Sequence, residues 1–227
     1  MKEHFHLYFV CAQKPPAALI RCTSALLFAL LLLPVSVNAS AIAQFKAFLS
    51  GTKSARGEFA QIQVHQDREG RLRHGVPAMG DFLFSQPGKF IWNYQKPYEQ
   101  VLQSDGKLLY IYDKDLNQVT IREIDAALGS NPAAILFGTK DIEKDFMLFD
   151  NGVRDSLEWL EVRPKEEDSV FQRVNIGMKD NLPVAMELYD ALGQLSLIKF
   201  TRFERNPALK PNAFRFAVPK GVDVFRH

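Results

Sequence analysis

The sequence is poor in the arrangements that carry covalent chemistry. A serine hydrolase places its nucleophile in a G-x-S-x-G turn, where a strained elbow exposes the hydroxyl to an activating base. No such run occurs. Both cysteines, Cys11 and Cys22, lie near the start of the chain. His65, His74 and His227 follow, yet none belongs to an H-E-x-x-H pair, the spacing that sets two imidazoles on one helix face to hold zinc. Each reads as a surface residue. Neither G-x-G-x-x-G nor G-x-x-x-x-G-K-[ST] is found, so no glycine-rich loop offers its amides to a phosphate. The carboxylates are scattered, with no two placed for acid and base duty. The expectation is a protein that is not an enzyme, with no catalytic residue, no metal and no cofactor. What the chain has in quantity is rings: 18 Phe, 6 Tyr and 2 Trp in 227 residues. That supply points to burial of apolar surface as the chemistry in question.

The elements that must position these rings begin after an export signal. Ala25 to Leu33 reads ALLFALLLL, too short for the roughly 20 residues that span a bilayer but suited to a signal-peptide core. Arg21 is its positive flank, and Val37-x-Ala39 meets the small-residue rule for cleavage. Cleavage after Ala39 is expected, with Ala41 and Ala43 as alternatives, giving a signal over 1–39 and one domain over 40–227. Residues 1–20 are long for a leader and contain Pro15 and Pro16, which leaves a start downstream of Met1 open; peptides from Met1 to Lys14 in the unprocessed precursor would exclude it. Removal of residues 1–39 takes both cysteines, so the domain is expected to hold neither disulfide nor thiol. No Cys follows Leu33 for lipid attachment, so the mature chain is expected to be soluble. The same segment carries Lys2, Lys14 and Arg21 against Glu3, which is the whole net charge of +2. The neutral remainder makes nucleic acid and anionic membrane poor partners.

In the remainder, Ile42, Phe45, Phe48 and Leu49 fall at helical spacing, which predicts a short amphipathic helix over Ala41 to Leu49 ended by Gly51. Strand-like runs then follow one another between turn signals: Phe59–Val64, Gly80–Ser85, Lys89–Tyr94, Gln100–Gln103, Leu108–Tyr112 and Leu116–Arg122. Ser104-Asp105-Gly106-Lys107 reads as a hairpin turn, since Gly106 reaches a positive φ cheaply. A helical insert is predicted up to Phe137, with Asn131 as cap and Pro132 in the first turn. Strands resume at Leu157–Arg163, Phe171–Met178, Pro183–Tyr189, Leu195–Phe203 and Phe214–Val218, with Lys165 to Asp168 as a solvated hairpin tip. Phe82-Leu83-Phe84, Phe90-Ile91-Trp92 and the run Leu108 to Tyr112 are apolar at successive positions, so both faces of the sheet want shelter. Helices could cover one face and a guest the other, or the protein could cover both.

Gly80 to Tyr94 reads GDFLFSQPGKFIWNY and is followed by Lys96-Pro97-Tyr98-Glu99. Ser104 to Asp113 reads SDGKLLYIYD, with Gln118-Val119-Thr120 beyond it. Asn131-Pro132, the run Glu187 to Gln194 and the run Phe214 to Val224 come after them in order. This succession resembles the outer-membrane lipoprotein carrier family, LolA, over nearly all of the mature chain. The resemblance implies a mainly β (α+β) fold: an unclosed antiparallel β-barrel, or strongly curved half-barrel, with short helices forming a lid over an apolar cavity. It also implies a soluble periplasmic monomer with acylated lipoproteins as cargo. The donor would be an inner-membrane lipoprotein-releasing ABC transporter (LolCDE-type) and the acceptor an outer-membrane lipoprotein (LolB-type). Cargo contacts carried over from the resemblance are Phe90, Trp92 and Tyr110 on the sheet and Ile135, Leu136 and Phe137 on the lid. Trp92 and the lid residues also fit an ordinary core. The family's Arg-Pro-x-x-Phe-x-Trp strand has Gln86 in place of its Arg here, so a lid latch at Gln86 would lack the charge that roughly doubles hydrogen-bond strength. Altered loading and release in Gln86→Arg would test that. Other readings on the same fold are an envelope lipid- or glycolipid-binding or sensing domain, and the acceptor, which the missing Cys after Leu33 disfavours.

Overall fold

In the computed structural model, which describes residues 39–67, 69–123, 135–136, 142–166, 169 and 171–226, Ser40 opens the first element. Its hydroxyl accepts from the Ala43 amide at 3.3 Å, satisfying one of the amides that a helix start leaves unpaired. Helix α1 (Ala41–Gly51) buries Ala41, Gln44, Phe45, Phe48 and Leu49; of the stripe read from the sequence Phe45, Phe48 and Leu49 are buried and Ile42 is half-buried. Gln44 secures both flanks: its Nε2 donates to the Ala39 carbonyl at 3.0 Å, and its Oε1 accepts from the Asn181 amide at 3.1 Å. The signal and its cleavage chemistry fall on residues 1–38, outside the described residues, as do Asn131, Pro132, Phe137, Glu167 and Asp168.

Thirteen strands follow: β1 (Ser54–Gln66), β2 (Leu72–His74), β3 (Ala78–Ser85), β4 (Lys89–Lys96), β5 (Gln100–Asp105), β6 (Leu108–Asp113), β7 (Gln118–Glu123), β8 (Phe146–Arg154), β9 (Leu157–Pro164), β10 (Phe171–Lys179), β11 (Leu182–Asp190), β12 (Leu195–Arg205) and β13 (Asp223–Arg226). They form one sheet in the order β13-β7-β6-β5-β4-β3-β1-β12-β11-β10-β9-β8, with β2 beside β1. All neighbours are antiparallel except β13, which lies parallel to β7. Among the described residues β8 and β13 have no further partner, so the sheet is unclosed. It nevertheless curls: Leu109 of β6 and Val162 of β9, near opposite ends of that order, share one core with Phe45 and Phe48 of α1. Helix α1 rests on β8 to β11, and one turn of 3₁₀ helix, Ile142–Lys144, precedes β8.

Two glycines permit the tight approach of β1, β3 and β4. A Cβ on Gly57 would lie 2.0 Å from the Arg202 carbonyl oxygen and 2.7 Å from Phe82 Cζ. One on Gly80 would lie 1.9 Å from the Asn93 carbonyl oxygen and 3.0 Å from Phe59 Cζ. Since Gly57 opposes Phe82 and Phe59 opposes Gly80, each ring lies over the glycine of the neighbouring strand.

The expected strand at Phe214–Val218 is not one. The segment from Asn206 to Val222 carries no ladder, and the closing strand is β13, further along. Alternation of Phe214, Phe216 and Val218 arises because the segment lies as a strap on the outer sheet face, with the Phe216 ring stacked on Tyr110 at 4.6 Å. Strands β2 and β8 are additions to the sequence reading. Strand β8 escapes it because most of its residues are exposed and Gly152 breaks its register against β9.

Candidate functional site

Pairing register decides which side chains share a face, because directly opposed residues point to the same side and successive residues alternate. One row across the sheet runs Ala55, Phe84, Phe90, Ser104, Leu109, Arg122. The next runs Gly57, Phe82, Trp92, Leu102, Ile111, Thr120, and a third Phe59, Gly80, Tyr94, Gln100, Asp113, Gln118. These rows line the concave face. Its rings form an unbroken path: Phe59 on Trp92 at 4.0 Å, Trp92 beside Phe82 at 5.9 Å, Phe82 beside Phe203 at 5.3 Å, and Phe203 edge-on to Phe48 of α1 at 5.8 Å.

Phe90 and Trp92 both point into this face and are 2% and 3% exposed. Ile135 and Leu136 are helical, buried, and members of the same core. The structure therefore brings these four together in one buried apolar core with the buried face of α1. Tyr110 is not with them. Ser104 opposes both Phe90 and Leu109, so Leu109 and Ile111 face inward and Tyr110 faces out, under Phe216. Its hydroxyl donates to Asp105 Oδ2 at 3.2 Å; burial, with the Asp105 charge adding to it, holds the phenol above its usual value. In an all-apolar run such as Leu108 to Tyr112, alternation is invisible, and the inward residues could not be told from the outward ones. The sequence reading also passed over Phe59, Phe82 and Phe203. A signal for the first two was present in the paired Gly-x-Phe runs Gly57–Phe59 and Gly80–Phe82.

Gln86 follows β3. Its amide nitrogen donates to the Lys53 carbonyl at 2.8 Å, while its side-chain Oε1 and Nε2 are both buried with no hydrogen-bond partner among the described residues. The turn after β5 is better satisfied. Burial pushes the Asp105 carboxyl up, but hydrogen bonds from the Leu108 and Lys107 amides and the Tyr110 hydroxyl together outweigh it and hold the group below the ordinary carboxylate value.

Beyond the third row the concave face turns polar. A cleft of about 500 Å³ there is lined by Gln61, Gln63, Tyr94, Lys96, Gln100 and Asp113, with Val76, Ala78, Pro97 and Tyr98. The Tyr94 hydroxyl donates to Gln61 Oε1 at 2.9 Å, and burial raises the phenol despite this bond and its contact with Trp92. On the outer face two further clefts, about 620 and 430 Å³, lie between the sheet and the strap. The strap accordingly shelters Leu83 and Tyr110, and the second apolar face of these strands is covered by the protein itself. Among the described residues no group of three His, Cys, Asp or Glu side chains could hold a metal ion, and no helix is long and apolar enough to cross a membrane.

Comparison with known proteins points one way. A family model described as "Outer membrane lipoprotein carrier protein LolA" matches residues 50–217. The "Outer-membrane lipoprotein carrier protein" of Cupriavidus pinatubonensis is 53% identical over 188 residues, 83% of this chain and 88% of that one. The protein of the same name from Cupriavidus taiwanensis is 50% identical over 205 residues, 90% of this chain and 95% of that one. Among solved structures, an uncharacterized conserved protein from Thermus thermophilus superposes with a TM-score of 0.51 at 14% identity, over 82% of this chain and 96% of that one, a likeness of fold alone.

Proposed function

The chain belongs to the outer-membrane lipoprotein carrier family, LolA, and from that membership we propose that it carries acylated lipoproteins across the periplasm with their acyl chains held on the concave face. The observation that carries this reading is the aromatic path from Trp92 to Phe48, in one apolar core with Ile135 and Leu136. Each buried CH₂ is worth about 0.8 kcal/mol, so an acyl chain of some sixteen carbons gains roughly 12 kcal/mol on leaving water. That is ample to draw an acyl chain out of water onto this face. Loading then sets the acyl chain against Phe90, Trp92 and the lid residues Ile135, Leu136 and Phe137. Tyr110, turned to the outer face, takes no part.

The chain enters the periplasm through the signal over residues 1–39 and acts as a soluble monomer. It receives cargo from a lipoprotein-releasing transporter of the LolCDE type and passes it to an acceptor of the LolB type. Transfer of this kind needs ordered affinities and no bond-making step. Gln86 stands at the lid-latch position with a neutral amide. Purification of the tagged protein from its periplasm, followed by mass spectrometry of what accompanies it, tests the reading. Acylated lipoproteins in a soluble complex are expected; free lipid or a signalling protein alone would overturn it.

A further inference from the structure

The polar end of the concave face is idle in the account above. Its cleft of about 500 Å³ is within the size of a small-ligand site, about 300–1,000 Å³, and it opens straight from the aromatic path, since Tyr94 lines it and meets Phe59 edge-on at 5.3 Å. A chain lying along Phe59 and Trp92 thus reaches the cleft without leaving the face. There the lining changes from hydrocarbon to carboxamide, with Gln61 and Gln63 on β1 and Gln100 on β5. Their donor ends are loosely held, with Gln61 Nε2 3.5 Å from Ser196 Oγ and Gln100 Nε2 3.5 Å from Asp113 Oδ2, the outer limit for a hydrogen bond, while Gln61 Oε1 is engaged by the Tyr94 hydroxyl at 2.9 Å. The cleft's formal charges are one of each sign, Lys96 and Asp113.

We infer that this cleft seats the neutral junction of the cargo, the ester and amide groups where acyl chains join the first residues of a peptide, and that it discriminates against phosphate-bearing lipids. The inference rests on the carrier reading above and adds what the site selects. A carboxamide both donates and accepts, so three of them match ester carbonyls and peptide N–H and C=O groups without a net charge. A phosphate is held best by arginine forks or several cations; here it would meet Lys96 alone and lie beside the Asp113 carboxylate. The aromatic path measures chain, and the glutamine end reads what the chains are attached to.

The test is fluorescence titration of the periplasmically purified protein with two probes, a dansyl-labelled peptide bearing a dipalmitoylglyceryl-cysteine and a pyrene-labelled alkane without polar groups. Phosphatidylglycerol is the competitor. For Gln63→Leu with Gln100→Leu, the loss of two neutral hydrogen bonds predicts roughly tenfold weaker lipopeptide binding, unchanged alkane binding, and little displacement of lipopeptide by phosphatidylglycerol. Gln63 is exposed, so Gln63→Leu alone, with a loss of a few-fold, keeps the test sound should the double variant fold poorly. Equal weakening of both probes, unchanged lipopeptide binding, or efficient competition by phosphatidylglycerol would each overturn the inference and leave the carrier reading standing. Failure of the unsubstituted protein to bind either probe would overturn both.

Discussion

Gln86 offers the sharpest prediction. Its carboxamide oxygen and nitrogen are both buried and unpartnered among the described residues, at the position the family reserves for a latch. A buried polar group left without a partner costs about 1–3 kcal/mol, whereas an apolar group of the same shape carries no such cost. Gln86→Met conserves chain length and nearly conserves volume, so its packing cost should be small. It is therefore expected to stabilise the unloaded protein, by about 2 kcal/mol. Urea denaturation followed by the fluorescence of Trp92 and Trp159 reads this directly. With a slope of about 2 kcal/mol/M for a domain of this size, the midpoint should rise by roughly 1 M. Phe90 and Trp92 are buried in the unloaded protein, so cargo reaches them only once that core opens, and the same stabilisation acts against loading. A 2 kcal/mol bias toward the closed form should lower apparent cargo affinity about thirtyfold. A midpoint that stays put or falls would refute the reasoning, since it would mean that the amide is satisfied in solution and that Gln86 contributes to stability.

Gly80→Ala should cost more than about 3 kcal/mol, beyond the usual price of overpacking, because its Cβ would lie 1.9 Å from the Asn93 carbonyl oxygen; a urea midpoint within 0.2 M of the parent (on the order of the extrapolation error) would refute the close β3–β4 approach. Phe90→Ala and Phe216→Ala remove rings from opposite faces, so each should lose roughly 2–4 kcal/mol of stability, but only Phe90→Ala should alter cargo affinity. Loss of cargo binding in Phe216→Ala would put Tyr110 back on the cargo side. Asp105 has a depressed folded value, so its contribution is fully present above the ordinary carboxylate value and is lost as pH falls through the lower folded one. Asp105→Asn should thus flatten the decline of stability with acid below about pH 4, as urea midpoints taken between pH 6 and 3 would show, and a parallel decline would count against the assignment.

Local chemistry carried the sequence reading wherever one rule decided the outcome. The helix over Ala41 to Leu49 needed only its stripe and its Gly51 stop, and the turn at Asp105-Gly106 only the glycine. Strands bounded by clear turn signals, such as β3 and β4, were found within a residue or two. Facing was harder, since Tyr110 and Leu109 are neighbours of like hydropathy and only the pairing of Ser104 with Leu109 separates them. The strap failed for a related reason: alternation of Phe214 and Phe216 records one sheltered side, Val218 being exposed, and a strand is not the only chain path that has one. The polar cleft is assembled from β1, β3, β4, β5 and β6, with Gln61 and Gln63 on β1 far in sequence from Gln100 on β5. No spacing rule could have collected Gln100 with them. The resemblance filled some of these gaps; Tyr110, carried over with its motif but without its register, lies on the face opposite Phe90.

The parallel pairing of β13 with β7 has a bearing on how the protein behaves in a crowd. Without it, β7 would offer six residues of open ladder, Val119 and Ile121 among them, at the rim of a long sheet. Bare rims of that kind invite strands from neighbouring molecules and seed aggregates. The chain instead crosses its own outer face and lays down Asp223–Arg226, a rim of only four residues with a charge at each end. The strap is thus a tether as much as a cover, and what it delivers to the edge of the sheet is a short, charged strand that other chains have little reason to join.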